Sequence, residues 1–220
     1  GTVVAAADEK PFSRVKLRMS APLDWFPGRR PEEKLEGVAA WGLPAYEWLW
    51  PIGNSQTIRA KADELGLELS CMVGAGAIAQ GGMVNPDDHD KQVEQFQASI
   101  KMARQLNCKR LVGLTGNERS DVSCEQQMAY VTQCLKRLAP IAEDNDVVLV
   151  MEALNPLVDH PGFFLTRTDQ TMEILAEVDS PNVKMLFDIY HQQITEGNVI
   201  RNLTENIDRI GHVHVADNPG

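Results

Sequence analysis

Short apolar runs recur along the chain, and between them the apolar positions fall into spacings of three and four. Val93, Phe96, Ile100 and Ala103 follow the helical period, as do Met128, Val131, Leu135 and Leu138, which predicts core-facing helix stripes. The runs predict seven strands: Val15–Ser20, Tyr46–Trp50, Leu67–Val73, Arg110–Thr115, Val147–Ala153, Val183–Ile189 and His212–Ala216. Strand alternating with helix is the pattern of parallel βαβ units, hence an α/β chain. Gly42, Gly66 and Asn107 stand where helices should stop before the next strand, and Thr168 or Asp169 where the helix leading to Val178 should be capped. Residues 74–90, with their glycines, Asn85-Pro86 and an acidic cluster, predict a long loop after the third strand, in the position of a lid.

Repeats of this kind close into a (β/α)8 TIM barrel, whose strand ends converge on one active-site face. Seven repeats are one short, so the eighth strand is absent from this sequence, and the parent protein is expected to continue past Gly220. Residues 1–12 predict a leader, either disordered or the remnant of an export signal at Ala5-Ala-Ala7, and residues 13–220 the barrel. Cytoplasmic and exported locations both stay open.

Composition narrows the partners. A net charge of −10 argues against nucleic acid and anionic membrane, since phosphate binding draws on Lys and Arg. No apolar run approaches the roughly 20 residues of a membrane span. Cys71, Cys108, Cys124 and Cys134 have no zinc-site spacing and read as small core residues. The expected partner is a small molecule, and exposed barrel helices leave a homo-oligomer open.

Candidate chemistry sits at the strand ends. Glu152, Asp188 and His214 each come near the end of an apolar run, where a carboxylate is expensive to bury unless it is paired or binds a metal. His212 and His214 share a strand face, with His214 nearer the carboxyl end and His212 a structural residue one layer deeper. Two carboxylates and one imidazole suit an octahedral Mn²⁺ or Mg²⁺, with Co²⁺ and Zn²⁺ as alternatives. His191, three residues beyond Asp188, is placed to donate to a substrate oxygen or act as general acid. Trp48 and Trp50 are candidates for an apolar pocket wall or for burial between strand and helix.

Met151-Glu-Ala-Leu-Asn155, His160-Pro-Gly-Phe-Phe-Leu165, Phe187-Asp-Ile-Tyr-His-Gln-Gln-Ile194, Glu196-Gly-Asn198 and Ile210-Gly-His-Val-His-Val-Ala-Asp217 resemble hydroxypyruvate isomerase and its relatives. These belong to the xylose isomerase-like barrels, with the ketose 3-epimerases close by. The resemblance implies a metal-dependent isomerase working through an enediolate on a hydroxy-keto acid or ketose. Glu152, Asp188 and His214 would be metal ligands, Glu152 also the catalytic base, and His191 a substrate contact. A second catalytic Glu, on strand eight of the family, has no counterpart in this sequence. Hydroxypyruvate isomerases often carry Gln where His214 stands, and the 3-epimerases carry His, so a ketose 3-epimerase is the alternative. A non-catalytic sugar-binding barrel is another. An endonuclease IV-like reading lacks the extra histidines at Cys71-Met-Val-Gly74 and Leu114-Thr-Gly116.

Overall fold

The computed structural model describes residues 17–51 and 53–218. The expected leader and the expected start of the first strand at Val15 lie outside the described residues. Eight strands are present among those described: β1 (Ser20–Pro22), β2 (Ala45–Glu47), β3 (Glu68–Leu69), β4 (Met72–Ala77), β5 (Arg110–Thr115), β6 (Val148–Glu152), β7 (Val183–Asp188) and β8 (Ile210–His214). Between them run α1 (Pro31–Ala40), α2 (Ser55–Leu65), α3 (His89–Leu106), α4 (Cys124–Asp144), α5 (Thr168–Val178), α6 (Ile189–Thr195) and α7 (Val199–Glu205). Strand order follows chain order in two sheets, β1-β2-β3 and β4-β5-β6-β7-β8. The pairs β1–β2, β2–β3, β5–β6, β6–β7 and β7–β8 are all parallel.

The chain divides into two compact units. One runs to Met72 and takes in Met102–Cys108, and the other comprises Val73–Lys101 and the chain from Lys109 onward. In the first, α2 is bounded as its sequence demands. Asn54 accepts from the backbone N–H of Gln56 at 3.0 Å and of Thr57 at 3.4 Å, and Gly66 closes the helix at φ 67°. Gly42 and Asn107 likewise take positive φ, 78° and 56°. Trp48 is buried at 5% exposure, whereas Trp50 is 56% exposed and forms no buried wall.

In the second unit the interior is built from Leu111, Leu149, Met185, Leu186 and Phe187 on the strands, with Val131, Leu135 and Leu138 from α4. The apolar stripe of α4 is therefore core, as its period predicts, and the helix packs on α5.

Besides a β1 that runs on to Pro22 and a β2 that stops at Glu47 short of the expected Trp50, the structure corrects the strand boundaries at two places. The run Leu67–Val73 is split into β3 and β4, and β4 continues to Ala77 through residues that read as loop. The reason is close backbone approach. A Cβ on Gly74 would lie 2.7 Å from Leu111 Cβ, and one on Gly76, which sits at φ 109°, would lie 1.8 Å from Leu114 O. Only glycine fits either position, so the strand carries the composition of a turn.

What remains of the expected lid is also short and tied down. Met83 and Val84 are fully buried, Val84 N–H donates to Thr115 O at 3.2 Å, and Asn117 N–H to Ala79 O at 2.9 Å. The segment ends in a 3-10 turn at Pro86–Asp88. The second correction is at β8, which begins at Ile210 opposite Met185 and ends at His214. Among the described residues no helix is long and apolar enough to cross a membrane.

Candidate active site

Register brings the candidate ligands together. On β6, Glu152 pairs with Leu186 of β7, which lies two residues before Asp188 and therefore on the same strand face. Across the next ladder Asp188 pairs with His214. A regular ladder running on from the Met185–Ile210 pair would instead place Val213 opposite Asp188. The irregularity between Met185 and Leu186 takes up one residue, so that Leu186 meets His212 and Asp188 meets His214. Gly211 is the residue passed over, and a Cβ there would lie 2.8 Å from Val150 Cγ1.

Glu152 and Asp188 are buried, at 8% and 7% exposure. His214 Nδ1 lies 3.1 Å from Glu152 Oε1 and 3.4 Å from Asp188 Oδ2. The three residues offer ligand atoms within 4.8 Å of one another. Two hard carboxylate oxygens and one imidazole nitrogen, converging with little solvent, form a donor set that suits a small divalent cation. The cluster would otherwise hold two buried carboxylates against one imidazole, an arrangement with excess negative charge.

Burial pushes the Asp188 carboxyl up. Hydrogen bonds from His214 and from the backbone N–H of His191 outweigh it and hold the group below its ordinary value. Asp188 is also the N-cap of α6, accepting from His191 N–H at 3.0 Å. The strand end and the helix start are thus fixed by the same carboxylate. His212 lies behind His214, ring centroids 5.2 Å apart and edge to face.

His191, on α6, is half-buried, and its ring is held from the loop that follows β6. Asn155 Nδ2 lies 2.7 Å from His191 Nδ1, and the Asn155 backbone N–H donates to the same nitrogen at 3.3 Å. Asn155 is fully buried, and its Oδ1 accepts from the N–H groups of Val158 at 2.9 Å and Asp159 at 3.2 Å. Its Nδ2 also donates to Asp159 Oδ2 at 2.6 Å. Hydrogen bonds from Asn155 and then Tyr190 hold the Asp159 carboxyl below its ordinary value. His160 stacks edge-on against His191 at 5.4 Å. Burial pushes the His160 imidazole down.

The structure therefore joins Glu152, Asp188 and His214 in one cluster and attaches His191 to it through the backbone. Two polar residues of these motifs, Asn155 and Glu196, carry roles that the sequence does not announce. Asn155 organises both the loop and the His191 ring, and its only local signal is the Asn-Pro turn pair. Glu196 accepts from the backbone N–H of Thr168 at 3.1 Å and from Asn202 Nδ2 at 3.1 Å. It satisfies the start of α5 from outside, whereas neither Thr168 nor Asp169 caps that helix. Arg167 stands at the cap position without a side-chain capping bond, its guanidinium going to Asp169, and the Thr168 hydroxyl is turned to Glu196.

A cavity of about 580 Å³ opens in the same unit, lined by Gln80, Asn85, Asn117, Arg119 and, from the loop after His160, Pro161 and Gly162. None of the three clustered residues lines it. Arg119 is already engaged there, by Asp121 Oδ2 at 2.8 Å and Asn85 Oδ1 at 3.1 Å.

With the geometry established, comparison with known proteins adds kinship. The family model described as the xylose isomerase-like TIM barrel matches residues 35–220. Hydroxypyruvate isomerase of Escherichia coli strain K12 is 37% identical over 122 residues, 56% of this chain and 47% of that protein. A putative hydroxypyruvate isomerase of Homo sapiens is 28% identical over 223 residues, covering 93% of this chain and 78% of that one. The chain thus spans about half of the first relative in the aligned region and most of the second. Among solved structures, an L-ribulose 3-epimerase superposes with a TM-score of 0.78 at 19% identity, covering 92% of this chain and 70% of that one. That likeness is one of fold.

Proposed function

This chain belongs to the xylose isomerase-like TIM barrel family, and from that premise we propose that it is a metal-dependent isomerase. Its substrate would be a small α-hydroxy carbonyl compound of the hydroxypyruvate kind, interconverted through an enediolate. The single observation that carries this reading is the buried convergence of Glu152, Asp188 and His214 at adjacent strand ends. The names of the E. coli and human relatives support the isomerase class and the hydroxypyruvate substrate.

Glu152, Asp188 and His214 are the residues that would hold a divalent cation, Mn²⁺ or Mg²⁺. Such an ion supplies Lewis-acid stabilisation of negative charge on the oxygens of a carbonyl and its neighbouring hydroxyl. The chain's own groups do the rest. The Glu152 carboxylate takes the proton from the carbon beside the carbonyl. Its burial keeps bulk water from competing for that proton. His191 donates a hydrogen bond to a substrate oxygen on which charge grows. Return of a proton to the neighbouring carbon completes isomerisation, and return to the opposite face of the same carbon would give an epimer.

A ketose 3-epimerase is the second reading. It is favoured by His214 itself, which stands where the resemblance gives the 3-epimerases a histidine, and the fold likeness to an L-ribulose 3-epimerase is compatible with it.

The test is a calorimetric titration with Mn²⁺ paired with turnover of hydroxypyruvate to its aldehyde isomer. The wild type should bind Mn²⁺ and turn over, and His214→Ala should lose at least about tenfold in metal affinity. A folded wild-type protein that binds none of Mn²⁺, Mg²⁺ and Co²⁺ would contradict the reading.

A further inference from the structure

We propose that Asn155 is a positioning residue that fixes the tautomer of His191, holding its Nδ1 as an acceptor so that Nε2 carries the hydrogen offered to substrate. The inference deepens the isomerase reading and rests on it for the role of His191 at the substrate. The tautomer itself follows from hydrogen bonds that do not depend on that reading.

The Asn155 amide has only one possible polarity. Backbone N–H only donates, so the side-chain atom of Asn155 that meets the N–H groups of Val158 and Asp159 must be its oxygen. The other end of the amide is then the NH₂, and it has two hydrogens to place. One goes to Asp159 Oδ2 at 2.6 Å, a carboxylate oxygen that accepts. The other faces His191 Nδ1 at 2.7 Å, and an NH₂ hydrogen requires a lone pair there. The backbone N–H of Asn155 reaches the same nitrogen at 3.3 Å and makes the same demand independently. Two donors converge on Nδ1, so the imidazole hydrogen sits on Nε2.

Each polar atom of the Asn155 side chain is thus committed, and the residue is fully buried. The network extends outward through Asp159 to Tyr190, whose hydroxyl also bonds to that carboxylate. A side chain satisfied this completely has one low-energy arrangement, which makes it a rigid template for its neighbour's ring. Asn155 also anchors the loop after β6 through Oδ1. A simple truncation would therefore disturb the loop and the imidazole together.

The discriminating variant exchanges the two partners, Asn155→Asp with Asp159→Asn. Asp at 155 keeps the oxygen that receives Val158 N–H and the N–H of residue 159, so the loop anchor stays. Asn at 159 supplies an NH₂ to the new carboxylate, which relieves the repulsion of two adjacent acids. What is lost is the nearer of the two donors to His191, the side-chain amide at 2.7 Å, while the longer backbone contact at 3.3 Å remains. An oxygen now faces Nδ1, which draws the ring hydrogen onto that nitrogen.

The readout is nitrogen-15 NMR of the histidine rings in the intact protein, without substrate, alongside steady-state kinetics. The wild type should give an unprotonated Nδ1 and a protonated Nε2 at His191, and Asp159→Asn alone should keep that pattern. The exchanged double variant should reverse it, with kcat lower by about 10- to 100-fold and KM little changed. A wild-type His191 protonated at Nδ1 would overturn the proposal, whether or not the double variant folds. So would a reversed tautomer with unchanged kcat, which would leave Asn155 a purely structural residue. A wild type with no isomerase activity would refute the functional reading while the ring spectra still decide the tautomer.

Discussion

Asp188 and His214 stand opposite each other because β8 carries one residue more than β7 between their first and second paired positions. The sequence made all three clustered residues legible, since a Glu, an Asp and a His near the ends of apolar runs are costly to bury without a partner. It did not make the bulge legible. Nothing local to Gly211 marks a change of register; the closeness of Val150 and Lys184, where a Cβ would have to go, comes from other strands. Asn155 was visible in the motif but its duty was not, because its partners include His191, 36 residues away.

Glu152→Gln tests the carboxylate directly. The amide keeps the volume and removes the charge and the basicity, so turnover should fall by at least about 100-fold. Thermal stability should hold or rise, since removing one of two neighbouring buried carboxylates relieves repulsion. Kinetics and a melting curve on the same preparation check both halves.

The elements divide by whether their signal is local. The apolar run alone gives β5 at Arg110–Thr115, and the runs of β6 and β7 give those strands to within a residue at each end. All three are interior strands whose residues contact core on both sides, so hydrophobicity marks them. The tail of β4 is hidden in the sequence because it is made of Gly74, Gly76 and small neighbours. There the requirement is absence of a side chain. The start of α5 failed in a related way, its cap coming from Glu196, 28 residues downstream.

Gly76→Ala tests the close-approach argument. Its φ of 109° and a Cβ position 1.8 Å from Leu114 O combine backbone strain with a clash against main chain. The expected loss is about 2–4 kcal/mol in denaturant unfolding. A loss as small as that of an ordinary surface substitution would mean that β4 and β5 are not packed as described.

Over the whole molecule, acidity is the dominant composition, with a net charge of −10. Many of its carboxylates are engaged. Glu33 is held below its ordinary value by the backbone N–H of Arg29, and Asp121, Asp146, Asp159 and Asp169 by hydrogen bonds from Arg119, Lys109, Asn155 and Arg167. A carboxyl with a depressed folded value stabilises the native state fully above its unfolded value, and that contribution is lost as pH falls through the folded value. Melting temperature should therefore fall as pH drops below about 4. A flat or rising profile over that range, in a pH series of thermal melts, would show that these pairings contribute nothing.

The family match at residues 35–220 makes the TIM barrel the shared architecture, and fold of this kind hosts many activities. The function therefore rests on the cluster, and its chemistry is best tested by proton NMR in D₂O. The protein is supplied with Mg²⁺, and deuterium uptake is followed beside the carbonyl of hydroxypyruvate and of a panel of ketoses. Metal-dependent exchange is expected in the wild type, in the compound that identifies the substrate class, together with loss of that exchange in Glu152→Gln. A metal-binding protein that exchanges no proton with any of them, or a Glu152→Gln variant that exchanges as fast as the wild type, would contradict it.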